Sequence, residues 1–129
     1  MLFTLNNNLK KNKPIIKINN VLIDNTTSTT FLGVIIDQNF TWSKHITHLA
    51  NKISKSIGIL KKTAPVFNKS TLRMLYHAFL QPYFNYCLLI WGNAADIHLD
   101  KIIRLQKRAI RIVSRTHFLD HTTHHFAQL

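Results

Sequence analysis

The sequence of 129 residues contains no glutamate, and its five acids are all aspartates: Asp24, Asp37, Asp96, Asp100 and Asp120. Chemistry that needs paired carboxylates therefore has few groups to work with. A single cysteine, Cys87, excludes an internal disulfide and any multi-cysteine metal site, and with them a small extracellular disulfide scaffold. Long apolar runs are missing too. No stretch reaches the roughly 18 residues needed to span a bilayer. The nearest, Ala78 to Trp91, is interrupted by Gln81, Pro82, Asn85 and Tyr86. The apolar start before Asn6-Asn7-Asn8 is too short for a secretory signal, so an intracellular location, nuclear or cytoplasmic, and no membrane partner are expected. Also absent are the nucleophile elbow G-x-S-x-G, the P-loop, G-x-G-x-x-G and H-E-x-x-H.

Positive charge is what the chain has in excess. Lys and Arg number 17, the formal net charge is +12, and the pI is near 10.3. A polyanion is the natural partner, with nucleic acid ahead of an anionic membrane; the plainer reading is a charge excess that aids solubility. Hydrophobic residues make up 46% of the chain, which argues against gross disorder. A chain of this length buries roughly two-thirds of its unfolded surface as one domain.

The pattern divides at about residue 39. Over 1–39 it is that of strands. Ile15 to Ile18 and Val21 to Ile23 flank Asn19-Asn20, a pair that tolerates the positive φ of a tight hairpin turn. After a polar stretch, Asp24 to Thr30, the run Phe31 to Ile36 reads as one buried strand ending at a turn, with Gly33 marking a bulge or close backbone approach. Over 40–129 the period is helical. Thr41 is placed to cap a helix running to about Ala64, with Ile46, Leu49, Ile53, Ile57 and Leu60 as its apolar stripe and Lys44, His48, Lys52, Lys55 and Lys62 opposite. Asn68 caps a second helix whose inner face carries Leu72, Leu75, Tyr76 and Phe79, and which Pro82 kinks or splits. The continuation to Trp91 is apolar nearly all round and is expected to be the most buried element, ended by a left-handed Gly92. A third helix spans about Asp96 to Arg115, with Leu99, Ile102, Ile103, Ala109, Ile110 and Val113 as its apolar half, and a short last helix covers Thr123 to Leu129.

The third helix carries the clearest chemical signal. Lys101, Arg104, Lys107, Arg108, Arg111 and Arg115 occupy an arc of about 120°, clear of the apolar half. No acid lies between Lys101 and Leu119, so these charges are read as unpaired and suited to phosphates. A solvated basic face is the plainer reading. Lys44, Lys52 and Lys55 are candidates for a second wall of the same groove. The histidines carry less. His117, His121, His124 and His125 cluster near the C-terminus with Asp120 as the only nearby acid, which favours loosely held polar residues over a metal site. His45 and His48 are read as sitting at a solvated helix start, and Cys87 as a small buried hydrophobe.

Phe31-Leu-Gly-Val-Ile-Ile-Asp37, followed by Trp42-Ser-Lys-His45-Ile46, resembles the segment that follows the palm in reverse transcriptases of jockey-like non-LTR retrotransposons. The resemblance continues through Lys52 to Leu60, Leu75-Tyr76, Pro82-Tyr-Phe-Asn-Tyr-Cys87, Ile90-Trp-Gly92 and Leu105-Gln-Lys-Arg-Ala-Ile-Arg-Ile112. His121-Thr122 and Phe126-Ala-Gln-Leu129 also fit its tail. The resemblance implies that Phe31, Leu32 and Gly33 belong to a primer-grip-like segment at the palm edge (1–39), and that the helices (40–129) form a thumb or connection holding a primer–template duplex. It also implies a parent RNA-directed DNA polymerase that needs Mg²⁺, with palm and fingers encoded upstream. The family's catalytic aspartates lie in a Y/F-x-D-D turn, which this sequence does not contain.

The expected fold is thus α+β and mostly helical: a short N-terminal β-hairpin and strand element, a three-helix thumb-like bundle and a short C-terminal helix. The expected function is a sequence-independent nucleic-acid-binding module of a truncated retroelement polymerase, with no catalytic residue, metal or cofactor of its own. Two other readings stand beside it: a basic helical protein that binds an acidic protein partner, and a decayed reading frame without selected function.

Overall fold

The computed structural model describes Met1, Phe3, residues 15–116 and Thr122, and the chain divides into two units, Met1–His45 and Ile46–Leu129. In the first unit, β1 (Ile16–Ile18) and β2 (Val21–Ile23) pair antiparallel with Ile18 opposite Val21. Asn19 and Asn20, at φ 50° and 61°, form the left-handed two-residue turn whose twist matches paired strands. Three-residue strands cannot cover themselves, and every strand residue of this hairpin is exposed.

A second hairpin follows where a single strand over Phe31 to Ile36 was expected. Leu32 (φ 46°) and Gly33 (φ 80°) reverse the chain, so Phe31 ends β3 (Ser28–Phe31) and Val34 begins β4 (Val34–Asp37). Gly33 serves as a turn residue, not a bulge. The polar residues Ser28 to Thr30 become the partner strand, because pairing needs backbone groups and not apolar side chains.

Asp37 organises the exit from β4. It is buried, and its carboxylate accepts hydrogen bonds from the backbone N–H groups of Asn39 (3.1 Å), Thr41 (3.2 Å) and Trp42 (2.9 Å) and from the Thr41 hydroxyl (3.1 Å). Burial pushes its pKa up, but the hydrogen bonds from Thr41, Asn39 and Trp42 together outweigh it and hold the carboxyl below its ordinary value. This knot holds Phe40 (φ 51°) and Trp42 (φ 60°) in left-handed backbone that bulky residues rarely adopt. Phe40 also stacks on Phe3 with ring centroids 4.6 Å apart. Thr41 therefore does not cap the first helix, α1 (Ser43–Thr63); its hydroxyl is turned to Asp37. His45 is not solvated either. It is 3% exposed, and its Nδ1 accepts the N–H of Ile35 at 3.3 Å, whereas His48 is exposed as expected.

In the second unit the apolar stripe of α1 is buried throughout: Ile46, Leu49, Ile53, Ile57 and Leu60. The Asn68 side chain caps α2 (Lys69–Phe79) by accepting the N–H of Thr71 at 2.8 Å. Leu72 and Tyr76 are buried and Leu75 half-buried, but Phe79, assigned to the same inner face, is 62% exposed. Pro82 splits the chain into a new short helix, α3 (Gln81–Asn85), since it fits only a helix's first turn.

The run that follows departs most from expectation. Cys87, half-buried, takes φ 52° and breaks the helix, leaving α4 (Leu88–Trp91) as a single turn. One turn offers one inward position, and Trp91 takes it, with its indole N–H donated to the Tyr86 carbonyl at 2.8 Å. Phe84 is also buried, but Tyr86, Leu88 and Ile90 are exposed and Leu89 is 98% exposed. Gly92 is right-handed (φ −70°) and needed for a different reason: a Cβ there would lie 2.5 Å from the Leu88 carbonyl oxygen.

The last described helix, α5 (Asp96–Ser114), buries Ile102, Ala109, Ile110 and Val113. Leu99 is half-buried and Ile103 is 43% exposed, at the edge of the apolar half. Tyr76 of α2 joins this helix through a hydrogen bond with Gln106; burial nonetheless pushes its phenol pKa up. Tyr76, Trp91, Ile53, Ile57, Leu72, Ile110 and Val113 are among the largest fully buried side chains, so Trp91 lies in the core as expected. The expected helix over 123–129 lies outside the described residues.

Candidate nucleic-acid interface

With Ile102, Ala109, Ile110 and Val113 of α5 buried, its basic half is left outward. Lys101, Arg104, Lys107, Arg108 and Arg115 are exposed and Arg111 is half-buried. The stripe is not free of acid partners. Asp100, one turn before Arg104, lies 4.0 Å from its guanidinium. Both side chains are largely exposed, and a surface pair of this kind contributes little.

Near its C-terminal end the stripe meets a second element. Lys61 and Ala64 from the end of α1 and Arg108, Arg111, Ile112, Arg115 and Thr116 line a cleft of about 550 Å³. Four of these seven are cations and none is an acid. Lys61 reaches the cleft because it lies on the flank of the buried Ile57–Leu60 stripe, on the side toward α5. Helix C-termini also attract cations through their partial negative charge, and Lys61 and Arg111 both sit in last turns.

The other predicted residues lie elsewhere. Lys52 and Lys55 are exposed on α1, about 180° and 120° around the helix from Lys61, and do not line this cleft. Lys44 belongs to the first unit, where its ammonium donates to the Ser28 hydroxyl at 3.0 Å. Lys101, Arg104 and Lys107 continue the α5 stripe beyond the cleft. Phe31, Leu32 and Gly33 form the exposed tip of the second hairpin. Sequence reasoning missed Lys61. The available signal was its place beside the apolar stripe, near the helix end where a neighbouring helix packs. His117, His121, His124 and His125 lie outside the described residues. Among the described residues no helix is long and apolar enough to cross a membrane.

Comparison with known proteins bears on what such a surface belongs to. No protein-family profile and no solved structure matches the chain. Relatives are found among mobile-element polymerases of flies. The chain is 29% identical over 121 residues to a probable RNA-directed DNA polymerase from transposon X-element of Drosophila melanogaster, a match covering 90% of this chain and 13% of that protein. It is 32% identical over 104 residues to the RNA-directed DNA polymerase from mobile element jockey of Drosophila funebris, covering 78% of this chain and 11% of that protein. The Drosophila melanogaster jockey polymerase is 30% identical over the same length of 104 residues. The chain thus spans about one-eighth or less of the curated relatives it matches. Over most of its length, this chain is homologous to a short segment of the RNA-directed DNA polymerases of jockey-like mobile elements.

Proposed function

We propose that the second unit is a nucleic-acid-binding module, the thumb-like part of a reverse transcriptase, which grips a primer–template duplex by its phosphates. The observation that carries this reading is the cleft lined by Lys61, Arg108, Arg111 and Arg115 without an acid. The kinship with RNA-directed DNA polymerases supports it. In this reading the cations meet phosphate oxygens, contacts that carry no direct sequence information, so binding is expected to be sequence-independent. An RNA–DNA hybrid has A-like geometry with a wide, shallow minor groove, which gives it a modest preference over B-form DNA.

The module carries no active site of its own in this reading. Nucleotidyl transfer by two metal ions requires carboxylates placed around them, and the Mg²⁺ would be held by palm residues of the parent polymerase. A primer-extension assay with Mg²⁺ or Mn²⁺ should give no template-dependent product from this chain. Its site of action would be inside the cell, wherever the element's RNA is copied.

The test is a salt titration against a primer–template hybrid. Affinity should fall linearly in log salt, and replacing Arg104, Arg108 and Arg111 by Gln should reduce the slope by roughly two to three units while the fold is retained. An unchanged slope and affinity would remove this surface from nucleic-acid binding and move an acidic protein partner ahead.

A further inference from the structure

At the end of α5 the chain places an arginine where helices favour glycine. Arg115 has φ 56° and ψ 38°. Its amide donates to the Ile112 carbonyl (3.3 Å) and that of Thr116 to the Arg111 carbonyl (3.1 Å), the paired reversal of a Schellman motif. A side chain costs stability in that left-handed conformation, so its presence directs attention to what the side chain does. One terminal nitrogen of the Arg115 guanidinium donates to the carbonyls of Ala64 (3.1 Å) and Phe67 (2.5 Å). Ala64 follows the last turn of α1, where carbonyls have no partner within the helix. Phe67 precedes Asn68, the cap of α2. Arg115 thus ties the end of α5 to the turn joining α1 and α2, across 48 and 51 residues of sequence.

That turn and the end of α5 are the two banks of the basic cleft, with Lys61 and Ala64 on one and Arg108, Arg111 and Ile112 on the other. We propose that Arg115 is a positioning residue of this cleft and not one of its phosphate ligands. Resting on the phosphate-binding reading above, the proposal assigns the guanidinium the task of holding the Lys61 bank against the α5 bank, so that cations from both helices meet one backbone without rearranging. A guanidinium suits this because its planar donors reach two carbonyls at once.

Arg115→Gly separates the roles, since glycine suits the left-handed backbone and removes only the side chain. Three results are expected together: amide hydrogen exchange about tenfold faster across residues 63–68, affinity for an RNA–DNA hybrid about fivefold weaker through lost preorganisation, and a salt slope within about half a unit of the parent chain. Arg115→Lys, which keeps the charge and a donor, should recover part of the exchange protection. A slope lowered by about one unit, as expected for Arg108→Gln, would make Arg115 a phosphate ligand and overturn the proposal. Faster exchange with unchanged affinity would reduce it to a structural tie, and unchanged exchange would remove the tie; either overturns it as well. A parent chain that fails to bind the hybrid is a separate outcome: it overturns the proposed function itself, and this role with it.

Discussion

Tyr83 to Trp91 is nearly unbroken in apolar residues, whereas α5 alternates apolar and basic ones; yet α5 buries four of its side chains and the apolar run only Phe84 and Trp91. The difference lies in backbone continuity. Nineteen residues of α5 keep one phase, so residues spaced three and four apart return to one face. The other run starts just after Pro82, which opens a new short helix, and is broken by the left-handed Cys87, so each fragment is too short to turn more than one side chain inward. Hydrophobic density without a sustained period does not predict burial.

The largest test of this contrast is Trp91→Ala. Removing a 2% exposed indole should cost on the order of 3–5 kcal/mol in chemical denaturation, and a stability equal to the parent would place the core elsewhere. Next comes Asp37→Ala, which strands three backbone N–H groups at the start of α1 and should cost about 1–3 kcal/mol. Because the folded pKa of Asp37 lies below its unfolded value, its contribution is fully present above about pH 4 and lost as pH falls through the folded pKa. The parent and Asp37→Asn should therefore converge in stability under acid; a constant gap would contradict the carboxylate's role.

Two glycines sharpen the same comparison, Gly92 just past the end of α4 and Gly58 within α1. Gly92→Ala should destabilise by about 1–3 kcal/mol, since its Cβ would meet the Leu88 backbone. Gly58→Ala, where nothing lies within 4 Å, should stabilise α1 by about 0.5–1 kcal/mol. Thermal melts of both variants should shift in opposite directions. Smallest of all is Leu89→Gln, expected within about 0.5 kcal/mol of the parent because Leu89 is 98% exposed. A large loss there would restore the run as a buried element.

The elements readable in the sequence were those governed by local rules. Asn19-Asn20 specified a turn, Asn68 a cap, and the spacing of Ile46, Leu49, Ile53, Ile57 and Leu60 a buried stripe, and the structure has all three. What was not legible depends on side chains returning to the backbone. The Asp37 carboxylate decides where α1 begins, and the apolar character of Phe31 to Ile36 hid a turn that only backbone dihedrals at Leu32 and Gly33 reveal. The candidate site divides in the same way. The α5 stripe follows from a helical wheel, but choosing Lys61 over Lys52 or Lys55 requires knowing which flank of α1 meets α5.

That choice is where the account is most directly exposed. Two charge-matched double variants, Lys61→Gln with Arg108→Gln and Lys52→Gln with Lys55→Gln, remove the same net charge from different faces. Each should be titrated with salt against one primer–template hybrid. The cleft account predicts that the first lowers the slope of log affinity against log salt by roughly two units and the second by less than about half a unit. Equal losses from both pairs would mean diffuse attraction to a basic protein, and would contradict a defined phosphate-binding cleft.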